Sequence, residues 1–142
     1  MDRDERDEAW VPVALEDAGE DDDEVYVIGL RQSADDSESW SLMFMECYDS
    51  EDEQEIAQGM DTYCLVVDPG QATAYGGVLE CELTSNRLRL LLSDETAQSL
   101  RIPTQLDFAL ALQEDQLAMV RRGLGRVLTS GRPDAVPVCL GL

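Results

Sequence analysis

Histidine and lysine are both absent from the 142 residues. Without imidazole the chain cannot build a Ser-His-Asp triad, an HExxH zinc site or a Cys/His nucleophile pair. Without lysine it cannot form a Schiff base. All 10 basic residues are arginine, set against 31 Asp and Glu, for a formal net charge of −21. Phosphate affinity comes from cationic side chains, so this balance argues against nucleic acid as a partner. It argues equally against an anionic membrane surface. No apolar run approaches the length of a membrane span. The opening residues, Met1-Asp2-Arg3-Asp4-Glu5-Arg6-Asp7-Glu8, contain no apolar core of a secretory signal. The four cysteines (Cys47, Cys64, Cys81 and Cys139) form no CxxC pair. Without histidine they are a poor zinc set. They are expected to be reduced thiols of a cytoplasmic protein, with no metal and no cofactor.

What remains suffices for one folded domain. Hydrophobic residues make up 44% of the chain, more than a disordered acidic tail would carry. The charge is unevenly placed. Residues 1–71 hold 23 acids against 3 Arg, a net of −20, and residues 72–142 hold 8 acids against 7 Arg, a net of −1. Two readings of the acidic half stay open. It keeps a small protein soluble, or it shapes one face for a basic partner.

Residues 1–8 are expected to be a disordered acidic arm, 9–130 a single domain and 131–142 a loose tail or a short added edge strand. Ala9–Leu15 suggests a first strand, confined to an edge by Pro12. Glu16–Glu24 has seven acids in nine residues, a density that predicts a loop. Strands are expected at Val25–Leu30, Trp40–Cys47 and Asp61–Asp68. Tyr48–Gly59 is expected to be an acidic loop, and a second loop runs from Pro69-Gly70 through Tyr75-Gly76-Gly77. A hairpin follows, turning at Ser85-Asn86. Its register sets Leu83 against Leu88, Cys81 against Leu90 and Leu79 against Leu92, and pairs Glu82 with Arg89 outside. Ser93 caps a short helix ended by Pro103. A strand over Thr104–Leu112 precedes a helix over Gln113–Leu128 with a stripe of Leu117, Val120, Leu124, Val127 and Leu128. Runs of strands with late helices predict an α+β fold: one twisted, mostly antiparallel sheet with a short helix, and a C-terminal helix on one face.

Carboxylate pairs are too common in such a chain to indicate catalysis. Asp21-Asp22-Asp23-Glu24 lacks the EF-hand glycine spacing, and neither a P-loop nor a strand-linked GxGxxG is present. More informative is the string Gly59-Met60-Asp61-Thr62-Tyr63, followed by Tyr75-Gly76-Gly77. With the hairpin and the late helices, this succession resembles the immunity protein 10 family of bacterial polymorphic toxin systems over residues 24 to 128. The resemblance implies a cytoplasmic, non-enzymatic inhibitor that binds a cognate toxin domain. It carries no established binding residues onto this chain.

The residues allow that role. Nucleic-acid-attacking toxins are often basic around their clefts, and an acidic protein can occupy such a cleft. The first candidates for partner contact are Asp21, Asp22, Asp23 and Glu24 in one acidic segment, and Glu51, Asp52 and Glu53 in another. Tyr63 and Tyr75 are candidate aromatic anchors, and Asp61 is a candidate beside them. Ordinary packing of both tyrosines, and a bracing role for Asp61, stand as the alternatives. An acidic adaptor or secretion chaperone that binds without inhibiting is the competing function.

Overall fold

The computed structural model describes residues 11–22, 25–35, 39–46, 62–68, 70–130, 137 and 139–142. The described strands are β1 (Ala14–Leu15), β2 (Asp17–Asp22), β3 (Tyr26–Arg31), β4 (Ser41–Met45), β5 (Cys64–Asp68), β6 (Ala72–Tyr75), β7 (Val78–Thr84), β8 (Arg87–Leu92), β9 (Gln105–Leu110) and β10 (Cys139–Gly141). The helices are α1 (Asp94–Leu100), between β8 and β9, and α2 (Glu114–Leu128), between β9 and β10. The fold is α+β, as expected. Its strands divide between two five-stranded sheets, where the sequence pointed to one. The first sheet runs β1-β9-β8-β7-β10 and the second β2-β3-β4-β5-β6. The second is antiparallel throughout. The first is antiparallel in its centre, with parallel edges formed by β1 on β9 and β10 on β7.

Alternation explains most of these strands. Tyr26, Ile28 and Leu30 are buried, as are Leu42 and Phe44 beside them and Leu65 and Val67 beyond. In the other sheet Leu83, Leu88 and Phe108 form one buried row, and Cys81, Leu90 and Leu106 another. Trp40 reaches across to Phe108 with ring centroids 5.7 Å apart. These faces share one continuous core with the inner residues of both helices. α2 lies over β2, β3 and β4 and buries Val120, Leu124, Val127 and Leu128. Gly123 lets it sit close, since a Cβ there would come within 2.6 Å of the Tyr26 hydroxyl. α1 is capped by the Ser93 side chain, which accepts the Thr96 N–H, and Asp94 and Glu95 occupy its first turn.

Several expectations are corrected. Glu16–Glu24 is not a loop over its described part, because Asp17–Asp22 is strand β2. The loop expected through Tyr75 contains strand β6, after a turn with Gly70 and Gln71 at positive φ. Leu79 does not face Leu92. A bulge between Val78 and Glu80 pairs Val78 with Leu92 and leaves Leu79 40% exposed. Glu82 and Arg89 are opposite each other as expected, but no ion pair joins them, and the neighbouring Arg87 reaches Asp107 on β9 at 2.9 Å. The expected first strand shrinks to Ala14–Leu15, with residues 9–10 outside the described ones. Residues 1–8 and the 48–59 loop also lie outside them.

Candidate functional site

Like charges survive in β2 because strand alternation sends them to opposite faces. Glu20 and Asp22 point toward α2 and meet its arginines. Arg122 lies 3.5 Å from Glu20, and Arg126 lies 3.5 Å from Asp22. Arg126 also grips Glu46 through two contacts of 2.7 and 3.0 Å, and its guanidinium sits 4.3 Å over the Tyr26 ring. The hydrogen bonds to Glu46 hold that guanidinium still more firmly in its charged form. The Tyr26 hydroxyl donates to Glu20 at 2.6 Å. Burial, followed by this bond to Glu20, pushes the phenol up to about 12. The helix-facing side of the acidic strand is thus largely compensated.

The other side of the same sheet differs. Asp21 is exposed and makes no ion pair among the described residues. Cross-strand registry carries it into a row that spans the sheet: Asp21, Val27, Met45, Cys64 and Tyr75. A second row runs Gly19, Gly29, Met43, Val66 and Thr73. A third runs Asp17, Arg31, Ser41 and Asp68. Val27, Met43, Met45 and Val66 are only half-buried, and Tyr75 is 42% exposed at the far end. The result is an apolar, methionine-containing face with carboxylates along one margin. Flexible thioethers suit such a surface for contact with another protein. Between the second and third rows lies a depression of about 260 Å³, bordered by Asp17, Gly19, Gly29, Arg31, Met43 and Asp68. Arg31 is ion-paired with Asp17 there.

Of the residues singled out in the sequence, Asp21 and Tyr75 therefore share one face, at opposite ends of one row. Asp22 turns to the helix side. Tyr63 is fully buried in the seam between the two sheets. Its hydroxyl accepts the Val78 N–H at 3.0 Å, and its carbonyl accepts the Gly76 N–H at 2.8 Å. Burial pushes its phenol up to about 12. Asp23, Glu24, Glu51, Asp52, Glu53 and Asp61 lie outside the described residues. Sequence reading missed Gly19, Gly29, Met43, Met45 and Asp68. The available signal was that Val27, Met43, Met45 and Val66 alternate with the core residues, so these strands are apolar on both faces.

A second concavity of about 510 Å³ lies on the outer side of the other sheet, with Glu80, Glu82, Arg89, Leu91, Gln105 and Asp107 in its lining. Among the described residues no group of three Cys, Asp or Glu is placed to hold a metal ion. No helix among them is long and apolar enough to cross a membrane. Burial pushes the Cys64 thiol up to about 11. A half-buried thiol of that kind is a poor nucleophile at neutral pH.

The second sheet of this α+β domain thus carries a half-exposed apolar face with Asp17 and Asp21 along its β2 edge. The family model for immunity protein 10 matches residues 13–118, and the chain belongs to that family. Membership gives it an immunity-type role and implies a protein toxin as its partner. No curated protein and no solved structure matches the chain.

Proposed function

We propose that this chain is a cytoplasmic immunity protein of a polymorphic toxin system, which binds a cognate toxin domain and blocks it without catalysis. The observation that carries this reading is the row from Asp21 to Tyr75. It joins Asp21, exposed and without an ion pair among the described residues, to a continuous, half-exposed apolar surface on one side of one sheet. Apolar area of that kind supplies affinity, while the surrounding carboxylates select the partner and speed encounter. The partner that fits is a basic, nuclease-like domain. The acidic residues Asp21 to Glu24 and Glu51 to Glu53 steer it, and Tyr75 is the aromatic contact.

Co-expression tests the reading. The toxin domain encoded beside this gene should arrest growth alone and lose that effect when this chain is present, with the two proteins co-eluting in size-exclusion chromatography. Absence of both rescue and complex overturns it. A complex without rescue would assign the adaptor role instead.

A further inference from the structure

We infer that the depression at Gly19 and Gly29 is a socket for an arginine side chain of the toxin domain. This rests on the toxin-binding reading and specifies a contact that such a partner makes. Gly19 and Gly29 are direct cross-strand partners, so two facing positions of the sheet lack side chains and leave a gap in the surface. A Cβ placed on Gly19 would meet nothing within 4 Å, so the gap is open on that side. A Cβ on Gly29 would lie 3.3 Å from Cγ of Met43, so the methionine forms a close apolar wall. The depression, about 260 Å³, is bordered on its polar side by Asp17, Arg31, Ser41 and Asp68.

The charges select the occupant. Arg31 is committed to Asp17. Asp68 accepts the Gln71 N–H at 3.2 Å. A carboxylate has about four acceptor sites, so most of Asp68's capacity remains for a newcomer. The lining therefore carries one uncompensated negative charge, with Asp21 two positions along the same strand face adding a second. An acidic side chain would be repelled, and an apolar one would strip water from Asp68 with no hydrogen bond in return. Arginine satisfies both halves of the site. Its aliphatic stem lies over the glycine floor and Met43, and its guanidinium fork reaches Asp68. A fork-to-carboxylate contact is directional, so the socket fixes register as well as adding affinity.

The test measures Kd for the full chain against the toxin domain encoded beside this gene. Gly19→Leu fills the socket. Gly19 lies within β2, is not at positive φ and has open space around a Cβ, so a side chain there starts without collision or backbone strain, and thermal unfolding should stay close to wild type. It should weaken binding by about 100-fold or more, in the range of a central interface contact. Asp68→Asn should weaken it by about tenfold through loss of the charge-assisted bond. Glu82→Gln on the other sheet should change it by less than about twofold, as a surface charge outside the contact would. Binding by the wild type that survives both Gly19→Leu and Asp68→Asn overturns the socket and leaves the toxin reading standing. Absence of binding by the wild type overturns the toxin reading itself.

Discussion

The Tyr63 hydroxyl accepts the backbone N–H of Val78 at 3.0 Å, joining the residue before β5 in one sheet to the first residue of β7 in the other. The Tyr63 carbonyl accepts Gly76 N–H in the same place. Removing the hydroxyl leaves a buried amide without its acceptor. Tyr63→Phe should therefore cost about 1–3 kcal/mol in urea unfolding, with the m-value unchanged. Wild-type stability in that variant would mean the bond contributes nothing to joining the sheets.

Gly77 sits in the same seam at φ +93, and a Cβ there would lie 1.7 Å from Oγ1 of Thr96. That threonine donates to the Gly76 carbonyl at 3.2 Å, and Ser93 N–H donates to the Gly77 carbonyl at 2.8 Å. Alanine brings both an unfavourable backbone conformation and a collision with a buried residue. Gly77→Ala should destabilise the fold by at least about 2 kcal/mol, read as a lower melting temperature. Gly19→Ala, at an open strand position, should leave the melting temperature close to wild type.

Both buried phenols, Tyr26 and Tyr63, are pushed up to about 12 from an ordinary 10. In the unfolded chain each loses its proton near 10, while in the fold each keeps it to about 12. The unfolded state therefore binds fewer protons in this interval, and stability falls as pH rises. Their neutral burial contributes fully below pH 10 and is lost between pH 10 and about 12. The urea midpoint should drop over that window, and the phenolate absorbance of these two residues should rise together with loss of structure. Their early titration in a still-folded chain would contradict the assignment.

Neutralising Asp21, Asp22, Asp23 and Glu24 together should slow association with the toxin domain and flatten its dependence on salt. Dissociation should change less, since steering acts on encounter. Stopped-flow association at several ionic strengths reads this directly. An unchanged association rate would remove the segment from the approach surface.

The hairpin register from Leu83 and Leu88 to Cys81 and Leu90 was legible in the sequence, as was the Ser93 cap. Both depend on residues close along the chain. The acidic strand was not. A local count of like charges predicts a loop, but Glu20 and Asp22 of β2 are met by arginines of α2, and Arg126 is 104 residues from Asp22. Alternation also set Leu79 inward, and a one-residue bulge reversed it. The split into two sheets turns on Gly76 and Gly77, which read as an ordinary loop until their contacts with Tyr63 and Thr96 are seen. On the candidate face, Asp21 and Tyr75 were singled out separately. Their shared row depends on the pairing of five strands, which no local pattern specifies.

Gly19 and Gly77 are opposite cases: at Gly19 an added Cβ meets nothing within 4 Å, and at Gly77 a single methyl group collides with Thr96. The two kinds of position are under different constraints. A lineage can try new side chains at Gly19, one mutation at a time, and retarget the protein without first having to repair its fold.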